Sequence, residues 1–222
     1  MSEPRSGRAL RSGRSFWLHL HPPRVHADTL RPTTTLGLGV LAVTLLALLV
    51  VTGVVLMLLY TPSPERAHGD LRDIAYAVPF GRLLRNVHRL ATHGLVVVVA
   101  LHMLRVLLVA AYRGRRWLNW LVGLGLLGTT LGLAFTGYLL PWDQTAYWAC
   151  TVGADMMGLL PGIGPALRSA FLAGDEVSAR SLLRFYVLHV GVLPGLGLGL
   201  VVYHLWRVRK DGGLALHGED RS

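Results

Sequence analysis

The sequence predicts an all-α membrane protein built on a bundle of four transmembrane helices. Of its 222 residues, 52% are hydrophobic and 15% are charged, which is too little charge for a typical soluble domain. The apolar residues are concentrated in four segments, residues 34–59, 87–111, 117–140 and 185–208. Each segment is longer than the ~20 helical residues that cross a hydrocarbon core of about 30 Å. Helices are expected because lipid offers no hydrogen-bond partner to exposed backbone groups.

The basic residues indicate how the protein is oriented. In a four-span protein both termini and the loop between the second and third segments lie on one side, and most lysines and arginines are found there. The positive-inside rule therefore predicts that both termini are cytoplasmic, and the composition suggests a bacterial plasma (inner) membrane. Because these residues flank the apolar segments, the net charge of +10 indicates contact with anionic lipid and not with nucleic acid.

The same pattern divides the chain into one domain and two tails. Residues 1–32 are predicted to form a polar cytoplasmic tail, in which residues 16–20 suit an interfacial helix or a disordered segment equally well. Residues 33–212 form the predicted four-helix domain, and residues 213–222 form a second cytoplasmic tail. A single cysteine, Cys150, excludes an intrachain disulfide and any cysteine-ligated cluster made by this chain alone.

The first and third segments each contain two glycines with the same spacing. Gly39 and Gly53 are fourteen positions apart, as are Gly123 and Gly137. A residue without a Cβ lets a flat group approach the helix backbone. Helix packing through small residues would explain either pair alone, but histidines on the other two segments repeat with nearly the same period.

The second segment contains His88 and His102, which are fourteen positions apart, and the fourth contains His189 and His204, which are fifteen apart. At ~100° and ~1.5 Å per residue, each pair stays on roughly one helix face and spans about 21 Å. One histidine of each pair therefore lies near each membrane surface. The two segments run in the same direction, because one segment separates them. His88 is predicted to face His189, and His102 to face His204.

Two facing imidazoles can bind an iron porphyrin from both axial positions. Such coordination leaves no open site for oxygen and favours electron transfer. The sequence thus predicts two b-type haems, with the glycines making room for them. Arg85 and Arg105 each lie three residues from a predicted ligand and are candidates for binding haem propionates, or are membrane anchors. His93 has no partner at its depth and is interpreted as a packing or quinone-region residue.

Four short segments resemble the N-terminal, haem-bearing half of the cytochrome b family, found in quinol–cytochrome c and plastoquinol–plastocyanin oxidoreductases. These segments are RNVHR at 85–89, LHMLR at 101–105, GYLLPWDQ at 137–144 and RFYVLH at 184–189. The resemblance extends over about residues 33–212, and the wider histidine spacing of the fourth segment, with the end soon after it, resembles the short b6 type. The b6 type has a cysteine that binds a third haem covalently. This chain has Gly37 at that position, so no covalent third haem is expected.

The resemblance also implies roles for individual residues. The low-potential haem would be ligated by His88 and His189, and the high-potential haem by His102 and His204. The residues beside the propionates would be Arg85, Arg105 and Trp120. The quinol-oxidation pocket would include Trp142, Tyr147 and Ala149. Quinone would be reduced near Arg209 and Lys210, which could stabilise a semiquinone anion or a haem propionate or could equally be membrane anchors. A further wall of the oxidation pocket, the Pro-Glu-Trp-Tyr motif, is absent from this sequence. Either a separate C-terminal cytochrome b half supplies it, or the site is incomplete.

The expected function is that of a di-haem subunit of a quinol:cytochrome c, or related, oxidoreductase that works by a Q cycle and is inactive alone. Its expected partners are membrane lipid, a Rieske iron–sulfur protein, the C-terminal cytochrome b half, a c-type cytochrome and a second copy of the complex. A di-haem membrane anchor of a dehydrogenase or hydrogenase is the alternative. Such an anchor would not be expected to contain the Pro-Trp-Asp-Gln segment or the paired glycines. A haem-free scaffold is a further alternative, which an optical spectrum distinguishes.

Overall fold

A computed structural model describes residues 36–211, so both predicted tails and residues 16–20 lie outside the described range. Within that range the regular elements are helical. They are α1 (Leu38–Leu58), α2 (Ala67–Tyr76), α3 (Gly81–Leu108), α4 (Trp117–Leu139), α5 (Gln144–Gly158), α6 (Gly164–Leu172), α7 (Ala179–Val187) and α8 (Leu193–Lys210). A 3₁₀ turn, Gly114–Arg116, precedes α4, and a π-helical segment, Leu188–Val192, joins α7 to α8.

The prediction of four spans is confirmed. Over residues 36–211, the helices long and apolar enough to cross a membrane are Leu38–Leu58, Gly81–Leu108, Gly114–Leu139 and Ala179–Lys210. The first begins later than the apolar pattern, directly after Gly37, whose φ of 63° is left-handed. The second and fourth begin more than one turn earlier than predicted. Hydropathy missed these extensions because they are amphipathic and contain arginines.

The four spans pack through neighbouring pairs and leave a gap between α3 and α8. The helix α1 packs along α3, α4 packs along α8, and α3 also contacts α4. Among the described residues, α3 and α8 make little direct backbone contact with each other. The two histidine-bearing spans are therefore held side by side mainly by α1 and α4.

The most tightly buried cluster lies in the connection between α4 and α8. It consists of Leu139, Ala146, Cys150, Ala154, Leu172 and Phe185. Two caps define the helices around it: the Asp143 carboxylate accepts the Ala146 N–H at 2.8 Å, and Ser178 forms a capping box with Ser181. Burial raises the pKa of the free Cys150 thiol to about 11.

The connection from α1 to α3 is also well ordered by polar contacts. The Asp70 carboxylate accepts the Thr61 N–H at 2.8 Å and pairs with Arg66 at 3.2 Å. Hydrogen bonds from Thr61, followed by the Arg66 contacts, hold the Asp70 pKa below its usual value despite the opposing effect of burial. The Tyr60 hydroxyl donates to the Leu140 carbonyl at 2.7 Å. These contacts join the end of α1 to α2 and to the end of α4.

Candidate functional site

Two pairs of histidines face each other across the gap in the bundle. The ring centroids of His88 on α3 and His189 on the π-helical segment are 6.3 Å apart. Those of His102 on α3 and His204 on α8 are 6.4 Å apart. The first pair lies toward α2, α5 and α6, and the second toward the turn before α4. The structure therefore brings the four histidines together in the pairing that their spacing predicts.

The separation within each pair suits a metal held between the two rings. A metal–nitrogen bond of ~2.0–2.1 Å and ~1.1 Å from nitrogen to ring centroid, taken on both sides, give about 6.3 Å. Within residues 36–211, no group of three or more His, Cys, Asp or Glu side chains could hold a metal ion. Among the described residues, each pair would supply two nitrogen ligands. A group that brings its own ligands, such as the four nitrogens of a porphyrin, would complete the coordination.

A hydrogen bond determines which nitrogen of His88 is free to bind a metal. Thr52 Oγ1 lies 2.8 Å from His88 Nδ1 and 2.8 Å from the Leu48 carbonyl oxygen. A hydroxyl has one proton and a carbonyl only accepts, so Thr52 donates to Leu48 and accepts from the His88 Nδ1–H. The lone pair of the neutral imidazole is then on Nε2, and this nitrogen is the available ligand.

His189 is held in the same way from α4. Its Nδ1 lies 3.1 Å from the Leu133 carbonyl oxygen and 3.2 Å from Thr136 Oγ1. Thr136 gives its own proton to the Gly132 carbonyl at 2.7 Å, so both oxygens near Nδ1 accept. Neither Thr52 nor Thr136 was predicted from the sequence to contact a histidine. The available signal was a hydroxyl residue directly before a paired glycine on both α1 and α4.

Two of the paired glycines border the rings of the first histidine pair. A Cβ added to Gly53 would lie 3.2 Å from His88 Cε1, and one added to Gly137 would lie 2.6 Å from His189 Cε1. The second distance is shorter than real Cβ contacts, so only glycine fits there without movement. These residues let α1 and α4 approach the imidazole rings closely.

The other two glycines are less constrained. A Cβ added to Gly39 would lie 3.8 Å from His102 Cε1, which is an ordinary contact. A Cβ added to Gly123 would lie 3.2 Å from the Met103 sulfur and so would not meet a histidine first. The structure shows that three of the four glycines, Gly39, Gly53 and Gly137, border histidine rings. That all four make room for a macrocycle stays a prediction.

The fourth span contains a π-helical turn that includes His189, the first of its two histidines. Over Leu188–Val192 the helix widens, and the Leu193 N–H bonds to the Leu188 carbonyl, five residues earlier. Pro194 follows directly and has no N–H to give to the carbonyl of Val190. We attribute the π turn to this proline, since one extra residue in the turn relieves its clash with the preceding turn.

The π turn explains the unequal histidine spacings. In a regular α-helix at ~100° per residue, fourteen residues fall about 40° short of whole turns, and fifteen overshoot by about 60°. Because the turn takes up one extra residue, His189 and His204 keep nearly the angular relation of His88 and His102. This accounts for the nearly equal ring separations of 6.3 and 6.4 Å at the two levels.

The residues expected beside the haem propionates lie near both histidine levels. Arg85 is exposed on α3 and lines a cleft of about 160 Å³ that also includes His68 and Asp143. Arg105 is half-buried one turn after His102. Trp120 is half-buried near the start of α4, and its ring centroid is 5.7 Å from that of Tyr112.

The residues expected at the quinone-reduction site lie at the end of α8. Arg209 is exposed, and the Lys210 ammonium lies 4.7 Å from the centroid of the Trp206 ring. A largely buried ion pair beside them was not predicted from the sequence. Arg207 pairs with Asp211 at 3.0 Å and donates to the Arg115 carbonyl at 3.1 Å, which joins α8 to the loop before α4.

The residues expected in the quinol-oxidation pocket lie where α4 ends and α5 begins. Trp142 adopts a left-handed φ of 50°, and both it and Ala149 pack against the buried cluster of this connection. Tyr147 points outward, and its ring centroid is 5.7 Å from that of Trp148. The structure therefore places Trp142 and Ala149 on one core and leaves Tyr147 on the surface.

Comparison with known proteins finds similarity along most of the chain. The family model described as Cytochrome b/b6/petB matches residues 29–212. The chain is 45% identical over 171 residues to a cytochrome b6 of Heliobacterium mobile, covering 76% of this chain and 80% of that one. It is 38% identical over 165 residues to the menaquinol:cytochrome c reductase cytochrome b subunit of Geobacillus thermodenitrificans, covering 73% of each.

A solved structure is also similar. A chain of a hyperthermophilic respiratory Complex III matches with a TM-score of 0.76 and 27% identity over 92% of this chain. The present chain spans 58% of the length of that solved chain.

Proposed function

The chain belongs to the cytochrome b/b6 family, and on this premise we propose that it is the di-haem subunit of a bc- or b6f-type quinol:cytochrome c reductase. It carries electrons across the membrane, in a Q cycle, from a quinol-oxidation site to a quinone-reduction site. The main support for this proposal is that two pairs of histidines face each other at two levels of one bundle. The ring centroids within the pairs are 6.3 and 6.4 Å apart.

The histidines hold the cofactors. His88 and His189 hold one non-covalent haem b, and His102 and His204 hold the second. When bound, the two haems supply one-electron carriers in series across the membrane. With two histidine ligands each, the haems would serve as electron carriers and would not bind oxygen or quinone at the iron. No covalent third haem is expected, because Gly37 replaces the cysteine that would attach it.

The level of each pair gives it a role in energy storage. By family resemblance, the haem of His88 and His189 is the low-potential one and that of His102 and His204 the high-potential one. Transfer from the first level to the second moves charge across the membrane, which stores ~2.3 kcal/mol per charge for each 100 mV. The basic termini support an orientation in a bacterial plasma membrane with both termini cytoplasmic.

Quinol is oxidised on the side of α5, in contact with Trp142, Tyr147 and Ala149. One electron goes to a Rieske iron–sulfur protein, which passes it to a c-type cytochrome. The exposed apolar side chains of α5 support the docking of another subunit here. That subunit is the C-terminal cytochrome b half, which brings the Pro-Glu-Trp-Tyr motif. The chain is therefore active only inside its complex, which we expect to be a dimer.

Quinone is reduced on the opposite side, near Arg209 and Lys210. Both follow the last apolar turn of α8, where a cation is favoured by the helix dipole. Their charge suits an anionic quinone species or a haem propionate. The cleft that Arg85 lines supports a propionate contact at the other level.

The proposal is tested by counting haem in the full-length chain, purified in detergent from its own membranes. A pyridine haemochrome assay with a reduced-minus-oxidised spectrum should give two haems b per chain. His88→Ala and His102→Ala should each remove one haem. His93→Ala is the matched control, since His93 is exposed on the same helix, and it should keep both. A wild-type chain without haem, or with haem unaffected by both substitutions, would overturn the proposal.

A further inference from the structure

The two histidine levels differ in the type of residue that directly precedes each paired glycine. The residue before each glycine is Thr52 or Thr136 at the level of His88 and His189. Fourteen positions earlier on the same helices, at the level of His102 and His204, the corresponding residues are Leu38 and Val122. One level thus has a hydroxyl on each flanking helix, and the other has none at these positions.

Both threonine hydroxyls accept hydrogen bonds from the imidazoles. Thr52 is committed to donating to Leu48 and Thr136 to Gly132, so each oxygen receives the Nδ1–H of the histidine it faces. The two histidines differ in one respect. The acceptor for His88 Nδ1–H is the Thr52 hydroxyl, whereas His189 Nδ1–H is shared between Thr136 and the Leu133 carbonyl.

At the second level, His204 has a weaker contact than His189. His204 Nδ1 is buried and, among residues 36–211, forms no hydrogen bond of good geometry, although the Asn119 backbone approaches it. Asn119 precedes Leu133 by the same interval that separates the paired glycines, so it is the counterpart of the carbonyl that His189 uses. With Leu38 and Val122 at the corresponding positions, α1 and α4 offer no additional hydroxyl acceptor there.

We propose that Thr52 and Thr136 lower the midpoint potential of the haem held by His88 and His189 relative to the haem held by His102 and His204. An acceptor on Nδ1–H makes the imidazole a more basic ligand, which stabilises ferric over ferrous iron. Reduction adds one electron to the iron, while the proton stays on Nδ1. The inference rests on the proposed haem ligation and assigns a cause to the unequal potentials of the two levels.

The test is a redox titration of the purified complex, followed through the optical bands of the two haems. In Thr52→Val, the equilibrium constant for reducing the His88/His189 haem should rise about tenfold, or ~59 mV for one electron. The other haem should keep its potential. Thr52→Ser retains the hydroxyl and should restore the wild-type value. Thr136→Val should give a smaller shift, because the Leu133 carbonyl still accepts from His189.

Matched controls separate a ligand effect from general disturbance of the helices. Thr44 on α1 and Thr130 on α4 also donate to carbonyls four residues earlier, and they are not bonded to the haem-ligating histidines. Thr44→Val and Thr130→Val should leave both potentials unchanged. The reciprocal change, Val122→Thr, introduces a hydroxyl at the other level and should lower the potential of the His102/His204 haem.

Several outcomes would overturn the inference while leaving the proposed function intact. In one such outcome, the Thr52→Val variant binds both haems and neither haem changes its midpoint potential. Another is that Thr52→Ser shifts the potential as much as Thr52→Val. If Thr52→Val loses its haem, the inference is tested with Val122→Thr instead. An unchanged potential of the His102/His204 haem in that variant contradicts the inference. A wild-type chain that binds no haem would instead contradict the proposed function.

Discussion

Gly137 shows how much a single missing Cβ contributes to the histidine site. A Cβ there would be 2.6 Å from His189 Cε1, and the ring cannot turn away without losing its hydrogen bonds to Leu133 and Thr136. We expect Gly137→Ala to cost about 1–3 kcal/mol through overpacking and to weaken or abolish haem binding at this level. Haem stoichiometry and the thermal stability of the purified chain measure the effect.

Gly39→Ala is the matched control for this prediction. Its added methyl group would lie 3.8 Å from His102, at ordinary contact distance. We expect the variant to keep more haem than Gly137→Ala does. Equal haem contents for Gly137→Ala and Gly39→Ala would show that the close approach at Gly137 does not constrain His189.

At the scale of the residue, the sequence predicts which histidines are functional better than it predicts their hydrogen-bond partners. A histidine in an apolar helix is costly and therefore conspicuous, so His88 and His204 are found from the sequence alone. Thr52 is not conspicuous, because a threonine in a membrane helix can satisfy its hydroxyl on its own backbone. Its second bond to His88 depends on how α1 packs on α3, which no local pattern encodes.

At the scale of the element, the π turn at Leu188–Val192 is a separable part of the fourth span. Removing one residue from it should restore a regular helix with the same histidine spacing as on α3. Gly191 is suitable because open space surrounds it, and Pro194→Ala supplies the missing N–H. We expect the double variant, lacking Gly191 and carrying Pro194→Ala, to retain both haems.

An insertion into α3 is the contrasting control. One alanine placed after Val98 would turn His102 by ~100° relative to His88, with no proline to favour a compensating turn. We expect this variant to lose one haem in the pyridine haemochrome assay. If the double variant in α8 loses haem to the same extent, the π turn does not set the register of His189.

The π turn also marks the limit of sequence-based prediction for whole elements. The four spans follow from hydropathy, because crossing the membrane constrains each one independently. The start of α3 at Gly81 does not follow, because it depends on contact with α2, where a Cβ on Gly81 would clash with the Ile74 carbonyl. The wider spacing of His189 and His204 was visible in the sequence, but its compensation by a π turn was not.

At the scale of the whole molecule, buried apolar side chains are distributed differently from those of a soluble protein. The spans expose most of their apolar surface, as expected for contact with lipid, while the fully buried cluster lies in the connection between α4 and α8. That cluster brings together residues far apart in sequence, such as Leu139 and Phe185, and the sequence did not predict it. It fixes the segment on which Trp142 and Ala149 lie.

The orientation of the whole molecule can be tested through its single cysteine. Cys150 is buried, and its raised pKa of about 11 leaves little reactive thiolate near neutral pH, so the wild-type chain should label weakly with a maleimide. A new cysteine at exposed Glu176, between α6 and α7, or at exposed Arg113, between α3 and α4, then reports on one side of the membrane.

We expect a membrane-impermeant maleimide to label Glu176→Cys in intact spheroplasts and to label Arg113→Cys only after permeabilisation. The physical reason is the excess of basic residues on the side of Arg113, which resists translocation. The reverse pattern would contradict the cytoplasmic placement of both termini. In the four-span topology, α4 crosses the membrane and places the loops of Arg113 and Glu176 on opposite sides. Labelling of both variants without permeabilisation would therefore contradict this topology.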